Sequence, residues 1–377
     1  MTTRRTERAG GGDPGAGNGR AGGGTLGDRE LLRRTSRTFA LSVELLPGPL
    51  RAPVEAAYLL ARIGDTVADR GVAPAAARID QLERLRTALG TAGPVGEGLL
   101  AAGGDANGRA TRAEEQLLAG ADRVLERLPQ LPAADRGDVQ RVVDRLLATM
   151  VGELRFFEEE GRLHGGLAAL PDAGALAAYT EGIAGCVGEF WTRLLARHAS
   201  PRAVSGEAGP AASGPTLTAR ARAMVIEGRR YGRGLQLVNV LRDLPRDLRR
   251  GRCFLPAEEL RALGLTPADL LDPAAGARVA PILARWQGRA RRGLFAGFAY
   301  ASRLSGAGWR VRAATSLPAA LGLATLRVLE AAPLRARLDP DEVLRVSHAE
   351  VRRILARTAV LAVRPRWIAR AARPPGS

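Results

Sequence analysis

The 377-residue chain contains no lysine; all 56 of its basic residues are arginine. It is also poor in aromatic residues (4%), cysteine (Cys186 and Cys253) and histidine (His164, His198 and His348). Two cysteines cannot build a disulfide framework or, by themselves, a zinc site, and the three histidines share no ligand spacing. Surface roles are expected for those histidines. No stretch approaches the run of about 18 apolar residues that a membrane-spanning helix needs. The N-terminal arginines are not followed by the apolar core, about 7–15 residues long, of a secretory signal. No run of alternating β-branched residues and no tandem repeat interrupts the chain. These absences lead to the expectation of a cytoplasmic protein.

What is present is apolar mass and positive charge. Hydrophobic residues make up 46% of the chain, enough for a sizeable core, while the formal net charge is +17. Such a balance raises nucleic acid as a partner. The arginines are dispersed, however, and no basic–aromatic or helix-turn-helix pattern accompanies them, so no nucleic acid is expected. Phosphate-bearing substrates or anionic headgroups account for the same sign of charge.

Residues 1–27, rich in Gly, Ala and Arg, read as a disordered tail, and 364–377 as a basic C-terminal tail. Between them, 28–363 reads as one catalytic domain, with Pro/Gly/Ser-rich loops near 91–111 and 199–216. Apolar residues recur at three- and four-residue spacing across most of it, including 50–70, 133–161, 173–197 and 217–247. The fold class is all-α. Over 350–377, seven Arg against one Glu, interleaved with Ile354, Leu355, Val360, Leu361, Trp367 and Ile368, suit either a packed terminal helix or peripheral contact with the inner face of the cell membrane.

Two segments carry the chemistry. Tyr58, Arg62, Asp65 and Asp69 follow steps of four, three and four, one stripe of a helix. Leu59, Leu60, Ile63 and Val67 spread apolar character round the rest of that helix, so it should be buried with its polar stripe facing a cavity. Gln236, Asn239, Asp243 and Asp247 repeat the logic, with Arg242 at the stripe's edge. If the helices face each other, four carboxylates converge, an arrangement that repulsion disfavours until a hard divalent cation joins it. All-oxygen donors suit Mg²⁺. Pro245 lies between the second pair of aspartates, where an interior proline costs about 3 kcal/mol, so a kink or the last helical turn is expected there.

With the flanking Ser36-Arg37-Thr38-Phe39, Tyr179-Thr-Glu-Gly-Ile-Ala-Gly-Cys-Val-Gly188 and the block from Gln236 to Pro256, these residues resemble the squalene/phytoene synthase family. The resemblance covers about residues 30–360. It implies an isoprenoid synthase helical bundle around a central catalytic cavity. Asp65, Asp69, Asn239, Asp243 and Asp247 would hold Mg²⁺, and Ser36, Arg37, Arg62, Gln236, Asn239, Arg242 and Arg252 would contact substrate diphosphate. Tyr58 and Tyr179 would lie near the reacting carbons, with Phe39, Phe157 and Phe190 edging the cavity. Ala68 departs from the acidic residue the family often has before the last aspartate of the first motif.

The implied activity is Mg²⁺-dependent head-to-head condensation of two farnesyl diphosphates, via presqualene diphosphate, to squalene, with NADPH as reductant. A phytoene-type synthase using two geranylgeranyl diphosphates, or arrest at presqualene diphosphate, is the alternative within the family. Outside it stands a basic protein that binds membrane or nucleic acid without catalysis.

Overall fold

Prolines begin two of the long helices. Pro47 caps α2 (Gly48–Ala68) and Pro132 caps α6 (Ala133–Leu163). At a helix start the N–H that proline lacks has no intrahelical partner to lose. The computed structural model describes residues 37–69, 73–91, 93–95, 112–199, 219–304 and 306–371. Among them the remaining helices are α1 (Arg37–Glu44), α3 (Ala75–Thr91), α4 (Arg112–Ala119), α5 (Ala121–Leu125), α7 (Ala173–Thr180), α8 (Cys186–His198), α9 (Ala219–Arg249), α10 (Ala257–Ala262), α11 (Gly276–Arg303), α12 (Gly308–Ala331), α13 (His348–Val363) and α14 (Pro365–Ala371).

Helix α6 shows how the pattern becomes packing. Val139, Val142, Val143, Leu146, Leu147, Met150, Leu154 and Phe157 bury one long stripe of it, against α2, α3 and α8. The chain turns away at Gly165 and Gly166, whose φ values of 69° and 95° suit glycine. It then enters β1 (Ala168–Ala169), which pairs in parallel with β2 (Arg252–Cys253), Ala168 opposite Arg252. These two-residue strands were not expected from the sequence. Their effect is local, tying the segment after α6 to the turn after α9.

Helix α9 is the centre of the packing, in contact with α7, α8, α11 and α12. Backbones approach closely on two of its sides. A Cβ on Gly188 would lie 2.0 Å from the Gly228 carbonyl oxygen, and one on Gly232 would lie 2.0 Å from that of Ala184. On the α11 side Gly234 meets Gly293 in the same way.

The structure departs from the sequence reading in three further places. The helix expected over 173–197 is interrupted by a π-helical turn, Glu181–Gly185, that joins α7 to α8. Pro245, by contrast, begins the last turn of α9, which ends at Arg249, as expected. Part of the stretch read as a C-terminal tail forms α14, with Ile368 buried. His198 is not a surface residue: its Nε2 lies 2.7 Å from Oδ2 of the buried Asp135, and Arg197 bonds the other oxygen of that carboxylate. The buried acid at the start of α6 needed partners, and the end of α8 supplies them.

Candidate active site

The first aspartate pair closes α2. Ile63 and Val67 anchor the last turns in the core, which leaves Arg62, Asp65 and Asp69 on the open side. Arg62 bonds Asp65 and, at 2.8 Å, Glu114 on α4, while its Nε is buried without a hydrogen-bond partner. Asp69 caps the helix and accepts an ion pair from Arg250 at 3.2 Å. That contact brings the end of α2 against the turn following α9.

The second pair lies on the last turns of α9, held by Leu237, Val240, Leu241, Leu244 and Leu248 on its buried side. Arg242 reaches Asp243 at 2.5 Å and Arg246 reaches it at 3.1 Å. Asn239 donates to Gln236 at 3.2 Å, and Gln236 donates to the Tyr179 hydroxyl at 3.4 Å. Tyr179 is stacked on Phe254, ring centres 4.6 Å apart. The predicted Gln236–Asn239–Asp243–Asp247 stripe is therefore present, with Tyr179 at its inner end.

Between the two pairs stands a residue the sequence reading passed over. Glu153, on α6, accepts from Arg252 at 2.8 Å, and both side chains are nearly enclosed. Burial pushes its carboxyl up to about 7, against the pull of Arg252, and Asp69 adds to the rise. Asp247 is likewise raised to about 7, by burial and then by Asp243, with Arg252 opposing. Asp65 rises to about 6 through burial and the neighbouring Asp69, although Arg62 holds it down. Asp65 nonetheless keeps 45% of its side chain accessible. A carboxylate both hemmed in by protein and reachable by water lies in a recess. Tyr179 is pushed well above the phenolic range by burial, then by Glu153 and Asp247.

Several acids are thus crowded into one recess and pushed towards their neutral forms. Among the described residues no three come close enough to enclose one ion. Mg²⁺ does not require that, since it binds through one or two carboxylates and completes its shell with water and phosphate oxygens. Two aspartate pairs, an all-oxygen donor set and a buried Arg62 Nε with no partner fit a metal–diphosphate ligand. Asp65, Asp69, Asp243 and Asp247, with Asn239 beside them, are the residues that would hold it.

An apolar cavity of about 210 Å³ lies deeper in the bundle, walled chiefly by α1, α8, α9 and α12, and none of the four motif aspartates lines it. Val43, Val187, Phe190, Trp191, Tyr231 and Leu235 line it. Its polar atoms are tied off: the Trp191 indole donates to Thr315 Oγ1 at 3.2 Å, and the Tyr231 hydroxyl donates to the Thr315 carbonyl at 2.9 Å. Of the aromatic residues proposed from the sequence, Phe190 lines this cavity. Phe157 packs edge-on to Phe254, in a different cluster, and faces another cavity. Tyr58 and Tyr179 are half-buried and lie outside the cavity lining. Ser36 and the side chains of Arg37 and Phe39 lie outside the described residues. Trp191 and Tyr231 are not marked by the sequence: Glu189 and Arg193 flank the first, and Arg229, Arg230 and Arg233 surround the second.

An all-helical bundle with an apolar cavity and two facing Asp-x-x-x-Asp turns defines a class of isoprenoid synthase folds. Residues 32–353 match the squalene/phytoene synthase family model, and the chain belongs to that family. It is similar to a bifunctional lycopene cyclase/phytoene synthase of Phaeosphaeria nodorum, 27% identical over 254 residues that make up 66% of this chain and 37% of that relative. The chain therefore matches little more than a third of that protein's length. In fold it is similar to TcSQS in complex with a ligand (TM-score 0.68, 18% identical, covering 92% of this chain and 88% of that one). It is also similar to a dehydrosqualene synthase in complex with a ligand (TM-score 0.58, 18% identical, covering 88% and 94%).

Proposed function

We propose that the protein condenses two prenyl diphosphates head to head in this recess. The observation that carries the reading is the pairing of two aspartate turns with arginines, in a bundle that also holds an apolar cavity on the same helix α9. Arg62, Arg242 and Arg252 would hold diphosphate through charge-assisted bonds. Mg²⁺, when bound, would supply further stabilisation of the departing diphosphate. The walls around Phe190, Trp191 and Tyr231 would hold the prenyl chain away from water, which a carbocation requires. Ring faces there, with Tyr179 at the recess, would favour positive charge.

The substrate we assign first is farnesyl diphosphate, giving presqualene diphosphate and then squalene. The Phaeosphaeria nodorum relative carries phytoene synthase in its name, which favours a second reading, the condensation of two geranylgeranyl diphosphates. The described strands are only two residues long, so no strand–glycine loop–helix cradle for a dinucleotide occurs among the described residues. On the first reading, NADPH would supply the hydride that quenches the final cation; the second reading ends in proton loss and needs no reductant.

Gas chromatography–mass spectrometry of products from each substrate with Mg²⁺, with and without NADPH, tests the reading. Squalene from farnesyl diphosphate with NADPH supports the first assignment. Phytoene from geranylgeranyl diphosphate supports the second. Absence of any C30 or C40 product from both would refute the condensation.

No described helix is long and apolar enough to cross a membrane. Helices α13 and α14, with Arg364 between them, expose Arg352, Arg353, Arg366 and Arg370 beside Val360 and Val363. For this surface we propose peripheral contact with the cytoplasmic face of an anionic membrane. Sedimentation with vesicles containing phosphatidylglycerol, but not with phosphatidylcholine vesicles, is the expected result; equal recovery with both would reject it.

A further inference from the structure

Beyond the aspartate recess lies a second, open cavity, of about 510 Å³, bordered by the end of α6, the Gly165–Gly166 turn and the Arg250–Arg252 turn. Four guanidinium groups wall it, from Arg78, Arg162, Arg250 and Arg252, and Glu158 is the acid in its lining. None of the four motif aspartates lines it. Three of the arginines have a carboxylate: Glu158 for Arg162 at 2.6 Å, Asp69 for Arg250 at 3.2 Å and Glu153 for Arg252 at 2.8 Å.

Arg78 is different. One terminal nitrogen donates to the Ala68 carbonyl at 2.6 Å, and its Nε is buried with no hydrogen-bond partner. Burial, and then the nearby Arg252, push this guanidinium below its ordinary value, against weaker support from Glu158, Asp69 and Glu153. Cations gathered round one cleft repel one another, most of all where a guanidinium is as buried as that of Arg78, and an anion relieves that cost while accepting bidentate bonds. The wall also lets a ligand approach the backbone. Gly161, Gly165, Gly166 and Gly251 line it, and Gly251, at φ 77°, lies so close to the Gly166 carbonyl that a Cβ would sit 2.2 Å from its oxygen.

We propose that this cavity binds a phosphate or diphosphate group at a second position, next to the one handled by the aspartates and sharing Arg252 with it. Two sources share that chemistry: inorganic diphosphate released by a condensation, or the phosphates of a nucleotide. The choice between them rests on the proposed function, whereas the site itself does not.

The test is calorimetric titration of the intact protein with inorganic diphosphate in EDTA at low salt. Without a divalent ion the crowded aspartates repel the anion, so binding reports on arginines. Arg78→Gln and Arg162→Gln, together, are expected to weaken binding by about tenfold. The Arg162 side chain is 73% exposed, so that single change tests the site even if Arg78→Gln fails to fold. A parallel titration with NADPH separates the sources. Competition with diphosphate, weakened by the same substitutions, assigns a nucleotide, and absence of competition assigns the released diphosphate. Failure of diphosphate to bind, or binding unchanged in the double variant, overturns the proposal. The measurement needs no turnover, so an inactive protein would leave it intact.

Discussion

Glu153 and Arg252, 99 residues apart, meet at 2.8 Å with side chains only 12% and 13% exposed. The pair joins α6 to β2 and fixes Arg252 between the aspartates and the second cavity. Removing one partner leaves the other charge enclosed without compensation. Glu153→Ala should therefore lower stability by about 2–4 kcal/mol, and Glu153→Gln by less, since the amide can still accept a bond. Urea unfolding monitored by circular dichroism measures both, and an unchanged midpoint for Glu153→Ala would show that the pair does not hold the fold.

The raised carboxyls predict an unusual response to pH. Ordinary values of 3.8 for the two aspartates and 4.5 for Glu153 become about 6 for Asp65 and about 7 for Asp247 and Glu153. Between these limits the folded protein keeps protons that the unfolded chain has lost. The stabilising contribution is thus complete below the ordinary values and disappears as pH rises through about 6–7. A divalent cation must displace the same protons, so its binding strengthens over that window. Thermal unfolding in EDTA and in MgCl₂, at about pH 5 and about pH 8, should show the larger gain from Mg²⁺ at the higher pH. An equal gain at both would count against the metal assignment.

Neutralising one acid separates catalysis from stability. Asp243→Asn removes a charge that raises Asp247. In the absence of metal it should leave the unfolding temperature the same or higher, because it relieves repulsion. Turnover should fall by about a hundredfold or more if the aspartates support the departing diphosphate. Activity retained at the wild-type level would exclude Asp243 from that role.

The aspartate stripes were legible because spacing along a helix places side chains on one face whatever surrounds the helix. Arg62 with Asp65, and Gln236 with Asn239, required no knowledge of distant chain. Glu153, Arg250 and Glu114 were not legible in that way. Each acquires its role from a partner brought near by packing: Arg252 for Glu153, Asp69 for Arg250 and Arg62 for Glu114. Glu153 also interrupts the inner stripe of α6 between Met150 and Leu154, a local signal that an acid faces inward. The π-helical turn at Glu181–Gly185 had no periodicity to announce it, since glycine and alanine there satisfy either helix. His198 was misread for a related reason. Its partner Asp135 is 63 residues away, on the first turn of another helix.

The close helix contacts give a final prediction, on the scaffold that aligns the two stripes. A Cβ on Gly188 would lie 2.0 Å from the Gly228 carbonyl oxygen, and that atom belongs to backbone that cannot swing aside. Gly188→Ala should force α8 away from α9 and cost about 1–3 kcal/mol, with Gly232→Ala acting alike on the neighbouring contact. Gly152 is the control: it is exposed on α6, and nothing lies within 4 Å of the position its Cβ would take. There alanine gains helix propensity, so Gly152→Ala should stabilise by about 0.5–1 kcal/mol. Opposite signs in urea unfolding are the expected outcome. If Gly188→Ala unfolded no earlier than the wild type, the tight crossing of α8 and α9 would not be what holds the aspartates of α9 opposite those of α2.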